Sequence, residues 1–148
     1  MFTRYHALVI PHDAQRYNTV GDYYSPYKDT LELRISDLKN TDYEFLVLIH
    51  ELVEAYLCYR DGISDAQITS YDIAHASEDG EPGDNLDAPY HNQHVLASSI
   101  EYQTASALGV NWSAYSIAID HLSEAGQGPD PEQEMEPMSD GSTSGTVS

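Results

Sequence analysis

The sequence predicts an α+β fold: a small antiparallel or mixed sheet packed on two to three helices, followed by a disordered acidic tail. Three observations predict it. Period-two alternation is confined to the amino-terminal part, stretches of helical length lie at about 43–59, 87–108 and 112–122, and the composition changes abruptly near residue 124. With 148 residues and 16.5 kDa, the chain has the length for one domain and one modest core.

Tyr5–Ile10 is a short apolar run closed by Pro11, and Thr30–Leu38 alternates Leu31, Leu33 and Ile35 with Glu32, Arg34 and Ser36, so both read as strands. The Tyr-, Asp- and Pro-containing stretch between them, NTVGDYYSPYKD, reads as a loop with irregular turns. Asn40-Thr41-Asp42 opens a helix over Tyr43–Tyr59, with Arg60 suited to its carboxyl end and Gly62 to the position just past it. Residues 64–88 read as irregular, with a turn at Glu81-Pro82-Gly83-Asp84. A second helix is expected from about Asp87-Ala88-Pro89 to Leu108, stopped by Gly109. A third, roughly Trp112–Leu122, spaces Trp112, Tyr115, Ile119 and Leu122 as a core-facing stripe. From Glu124 onward the chain has three Pro, four Gly, six acidic residues and no aromatic, too little apolar surface to offset the entropy of ordering. The expected division is a folded domain at 1–123 and a disordered tail at 124–148, with the tail a candidate docking arm for an assembly partner.

Twenty-five acidic against 6 basic residues give a formal charge of −19 and a pI near 4.3. That balance excludes a phosphate-binding basic surface, hence nucleic acid, and disfavours anionic lipid. It is read as a solubility device, as adaptation to high salt, or as mimicry of a nucleic-acid backbone. One cysteine excludes an internal disulfide. No apolar run approaches the roughly 18 residues of a membrane span, and the start carries no secretory signal pattern, so a cytoplasmic or particle-associated location is expected.

The first long helix holds an anomaly. Phe45–Ile49 is wholly apolar and Leu52, Val53, Ala55, Tyr56 and Leu57 continue that character, which predicts a helix buried on most sides. Yet His50, Glu51 and Glu54 sit in its middle, within about 100° of one another around the axis. Buried carboxylates are costly unless paired, protonated or bound to a metal. The only basic side chain in the helix is Arg60. A divalent cation supplies the missing charge.

The motif H-E-L-V-E resembles the H-E-x-x-H helix of zinc metallopeptidases, the zincins. The pairing of HELVEAYLCYRDGI with the later EPGDNLDAPYHNQH also resembles a family of small phage-encoded proteins. The resemblance implies a minimal zincin-like domain that binds Zn²⁺. His50 would be the first ligand, Glu54 the second where the family usually has His, and Glu51 the base acting on water in the fourth position. It also implies a preceding edge strand, Thr30–Leu38, and a further ligand from the second helix. His94 is favoured there; His91 and Glu101 remain alternatives, and Glu101 could instead orient a ligating His. Cys58 continues the i+4 series of His50 and Glu54 but reads better as a small buried hydrophobe. Asp72, placed in the loop after the first helix, is a candidate to support a ligand, and Tyr90 to steady an oxyanion. A carboxylate ligand also admits Mn²⁺ or Fe²⁺. His6, His12, His75 and His121 fit no spacing pattern and are expected in surface or loop roles.

Two functions of different class follow from these residues: a metal-dependent hydrolase acting on peptide or protein, and a catalytically silent, metal-stabilised accessory protein, such as a virion component docking through its tail. A metal-free acidic decoy is the third reading.

Overall fold

The computed structural model describes residues 1–125 and places three strands ahead of four helices. Strands β1 (Arg4–Ile10), β2 (Gly21–Tyr27) and β3 (Thr30–Ser36) form a mixed sheet in the order β1-β3-β2. β1 runs parallel to β3, and β2 pairs with β3 antiparallel. Helices α1 (Thr41–Arg60), α2 (Asp65–His75), α3 (His91–Leu108) and α4 (Trp112–Ala125) follow.

The alternation at 30–36 sorts side chains as expected. Leu31, Leu33 and Ile35 are at most 1% exposed, while Glu32 and Arg34 pair at 3.0 Å on the opposite face. The placement of this strand is corrected: β3 is the middle of the sheet, not an edge, and the edge beside the helical polar cluster is β2. β2 was expected to be loop because Gly21 and Pro26 interrupt it. An edge strand tolerates both, and the ladder is irregular between Tyr24 and Tyr27, where Pro26 sits.

α1 starts where Asn40 predicts: the Asn40 side chain accepts a hydrogen bond from the Tyr43 backbone N–H at 3.1 Å. It packs on β2, β3 and α3. Leu46, Val47, Ala55 and Cys58 are buried, but Phe45 is 44% and Tyr56 49% exposed. The expectation of a helix buried on most sides is therefore corrected. β1 extends past the helical layer, and Tyr5, Ala7, Leu52, Val53, Tyr56 and Leu96 line an apolar groove open along that side.

α2 lies in a stretch expected to be irregular. Ser64 caps it with a reciprocal pair, its hydroxyl accepting from the Gln67 backbone N–H while the Gln67 side chain accepts from the Ser64 backbone N–H. A 3₁₀ turn at Pro82–Asp84 then leads to α3, which begins at His91 with Tyr90 as its cap. The expected start near Asp87–Pro89 is several residues early, because that segment turns to bury Ala88 and Tyr90 instead. Gly109 ends α3 in the left-handed conformation, φ 71°, as predicted. α4 runs three residues beyond Leu122, across the expected 123/124 boundary. The expected disordered tail lies otherwise outside the described residues.

Two apolar clusters hold the domain. One joins Tyr23, Leu31, Leu33, Ala55, Ile68 and Tyr90; the other joins Val20, Ile35, Leu46, Val47, Ala105 and Tyr115. Among the described residues, no helix is long and apolar enough to cross a membrane.

Candidate metal centre

The polar residues of α1 and α3 meet between these two clusters. His50, Glu54, His94 and Glu101 are 6%, 5%, 3% and 9% exposed. Helical periodicity puts His50 and Glu54 on one face of α1, and His94 and Glu101 on one face of α3. Ala97 lies between the latter two, fully buried, and its small side chain lets the helices approach.

The geometry is specific. His50 Nε2 lies 3.0 Å from Glu54 Oε2 and 3.2 Å from His94 Nδ1, and Glu54 Oε2 lies 2.8 Å from His94 Nδ1. Three donors around a tetrahedral zinc, each at about 2.0–2.1 Å, stand roughly 3.3 Å apart, so this triangle needs only slight expansion. Each imidazole is also held from behind. His50 Nδ1 lies 2.8 Å from Glu101 Oε1, and His94 Nε2 lies 3.1 Å from Asp84 Oδ1 and 3.2 Å from Glu81 Oε2. A metal-ligating histidine characteristically donates its second N–H to a carboxylate in this way.

Tyrosines from both apolar clusters fix the carboxylates. Tyr23 donates to Glu54 Oε1 at 2.7 Å, and Tyr115 donates to Glu101 Oε2 at 2.5 Å. Two glycines make room. A Cβ on Gly83 would stand 2.4 Å from His94 Cγ, and one on Gly21 would stand 2.5 Å from Glu51 Oε1. The turn at 82–84 therefore lies directly on the His94 ring, and β2 directly on the Glu51 carboxyl. Glu51 takes no hydrogen bond from any described residue and lines the same cleft as His50, Glu54 and His94.

Electrostatics follow from this packing. Burial opposes the charged form of His50, but hydrogen bonds to Glu101 and Glu54 outweigh it and hold the imidazolium pKa well above its ordinary value. His94 is raised in the same sense: burial lowers it, and Glu54 more than compensates. Burial pushes Glu54 up, yet hydrogen bonds from His50 and His94 bring it well below the usual carboxylate range. Burial, reinforced by the charge of Glu54, pushes Glu51 well above it. The cleft places Glu51, Glu54, Glu81, Asp84 and Glu101 around two imidazoles, and no Lys or Arg lines it. This is a charge deficit that a bound divalent cation would remove.

Of the residues singled out in the sequence, His50, Glu54 and His94 converge, with Glu51 beside them and Glu101 behind His50. His91 does not join them. Its Nδ1–H donates to the Gly83 carbonyl at 2.9 Å, which secures the turn resting on His94. Asp72 is on α2, not in a loop, and accepts hydrogen bonds from Tyr17, at 3.0 Å, and from Tyr90. The Tyr90 hydroxyl is thus committed to Asp72 and is not free to meet an oxyanion. Cys58 is buried in the apolar cluster, where burial pushes its thiol up to about 12. His12, expected in a surface or loop role, lies in the 3₁₀ turn His12–Ala14 between β1 and β2 and ties Ser36 to Asn18 through 2.9 Å contacts at both ring nitrogens.

Glu81 was missed. Its ligand atom and those of His50 and His94 lie within 4.8 Å of one another, a second way to complete a His-Glu-His set. The signal was its place in Glu81-Pro82-Gly83-Asp84, two carboxylates flanking a rigid turn shortly before the His91-x-x-His94 pair. No family model, curated protein or solved structure matches the chain.

Proposed function

We propose that this chain is a metal-dependent hydrolase of the zincin type, acting on peptide bonds, in which His50, Glu54 and His94 hold the ion and Glu51 is the general base. One observation carries the reading. Two imidazole nitrogens, His50 Nε2 and His94 Nδ1, face each other across 3.2 Å around a shared carboxylate oxygen, while a separate carboxylate holds the far side of each ring. Without a cation, that arrangement leaves two imidazole nitrogens and a carboxylate oxygen crowded at one point of a buried site.

Zn²⁺, or Mn²⁺ or Fe²⁺ given the carboxylate ligand, would supply Lewis acidity and lower the pKa of a water it holds. The remaining work belongs to the protein. Glu101 fixes the ring of His50 and its tautomer, and Asp84 with Glu81 does the same for His94. Glu51, which takes no hydrogen bond from any described residue and is set against Gly21, holds the proton taken from water and passes it to the leaving amine. β2, an edge strand, borders the cleft through Gly21, Asp22 and Tyr23 and offers backbone groups to an extended peptide.

The test is elemental analysis of protein purified without chelator, with melting temperature read as zinc is added. A stoichiometric divalent metal and a rise in melting temperature are expected; absence of both overturns the metal centre. Glu51→Gln should retain the metal and abolish peptide hydrolysis, and a variant as active as the parent overturns Glu51 as base. Metal uptake by a protein that hydrolyses no peptide moves the assignment to a metal-stabilised accessory protein.

A further inference from the structure

We infer that the cleft over this centre selects cationic ligands, and that the substrate is a peptide with lysine or arginine beside the bond attacked. The hydrolytic part rests on the function proposed above; the binding part does not.

The cleft measures about 660 Å³. Around its mouth stand Glu78, Asp79, Glu81 and Asp84 on the segment between α2 and α3, and Asp120 and Glu124 on α4, all exposed. No lysine or arginine contributes to its walls. The basic side chains lie elsewhere and several are already paired. Arg16 holds Asp22 through two hydrogen bonds of 2.7 and 2.8 Å, Arg34 meets Glu32 at 3.0 Å, and Lys39 meets Asp37 at 2.6 Å. Of the carboxylates lining the cleft, Asp22 is paired with Arg16, whereas Glu51, Glu54, Glu81, Asp84 and Glu101 have no protein counter-charge apart from His50 and His94.

A concave site lined by one sign of charge focuses its field into the opening and concentrates ligands of the opposite sign. Acidic peptides and phosphate esters are repelled by the same field. The bordering edge strand favours an extended peptide over a small polyamine, because it can pair with a backbone and a polyamine has none. Tyr17 and Trp112, which also line the cleft, offer aromatic surface suited to a lysine or arginine stem.

The overall charge of −19 attracts any cation, so the experiment must separate the cleft from the rest of the surface. Full-length protein is titrated, by fluorescence anisotropy, with labelled alternating Ala–Lys and Ala–Glu octapeptides, and spermine is used as competitor. The same titration is run on Glu78→Gln/Asp79→Asn/Asp120→Asn and on a charge-matched control, Asp13→Asn/Asp42→Asn/Asp61→Asn. The lysine peptide should bind at least about tenfold tighter than the glutamate peptide, and the cleft variant should lose most of that preference while the control changes less than about twofold. Equal losses in the two variants, or equal binding of the two peptides, overturn the proposal. Spermine binding as tight as the lysine peptide overturns its peptide part. Each titration is repeated after chelation. A lysine preference that persists there while the protein takes up no metal upholds the cleft's selectivity and marks the metal centre alone as wrong.

Discussion

His50 Nε2 on α1 and His94 Nδ1 on α3 stand 3.2 Å apart, and Glu54 Oε2 lies 3.0 and 2.8 Å from them. Three potential donor atoms from two helices thus converge, in a part of the molecule where an apolar core would otherwise close. The ring planes are tilted 66° to each other, so neither histidine stacks on its neighbour.

If those atoms hold zinc, the ion is part of the folding free energy. Saturating zinc, at about a hundred times its dissociation constant, should stabilise the protein by roughly 2.7 kcal/mol, seen as a rise in melting temperature that EDTA reverses. His50→Ala should lose both the metal and the zinc-dependent rise. A variant that keeps the full rise removes His50 from the ligand set.

Glu101 acts through His50. Glu101→Gln preserves a side-chain oxygen for the His50 N–H but removes the charge, so zinc affinity should fall about 10–100-fold with little change in the metal-free fold. Tyr115→Phe removes the Tyr115 donor to Glu101, and should cost about 1 kcal/mol of stability with a smaller effect on zinc. Competition against a chromogenic chelator gives the affinities. Equal zinc affinity in Glu101→Gln and the parent refutes the orienting role.

The pH dependence should invert on metal binding. In the metal-free protein His50 and His94 have raised pKa values, so the folded state binds protons more tightly than the unfolded chain. Their contribution to stability is then complete below the unfolded value of about 6.5 and is lost as pH rises through the folded values. A metal needs both rings neutral on the ligating nitrogen, so zinc affinity should rise over the same range and binding should release protons. Thermal scans at a series of pH values, with zinc and with EDTA, should therefore slope in opposite directions. Parallel slopes would show that these imidazoles do not exchange protons for metal.

Substitutions at the two glycines should separate the proposed metal binding from the proposed catalysis. Gly83→Ala places a Cβ 2.4 Å from His94 Cγ, an atom near the backbone that cannot swing aside, so zinc affinity should drop. Gly21→Ala presses on the Glu51 carboxyl, whose end is flexible; metal content should be retained while hydrolysis falls. If Gly21→Ala loses metal and Gly83→Ala does not, the two roles are exchanged.

Much of this centre was legible locally. A histidine and two glutamates in a run such as Phe45-Leu46-Val47-Leu48-Ile49 conflict with the burial that the run demands, and helical spacing alone puts His50 and Glu54 side by side. The His94 and Glu101 pair follows from the same periodicity. Helix α2 lies in a stretch that reads as irregular: the Ser64-x-x-Gln67 capping box marks its start, but it lacks the apolar stripe that usually draws attention to a helix. β2 was obscured by Gly21 and Pro26, residues that a sheet accepts only at an edge, and edge position is a property of the whole sheet.

Composition, periodicity and caps sufficed to establish the class of fold and to single out the helical stretch where a histidine and two carboxylates meet an apolar run, because each depends on neighbours within one or two helical turns. The assignment of His91 to a carbonyl in the turn, the commitment of Tyr90 to Asp72, the approach of Glu81 and the contact of Gly21 with Glu51 depend on chain segments distant in sequence. No local rule encodes such contacts. They arise when α1, α3 and β2 pack to bury their apolar faces, and that packing sets which polar groups meet.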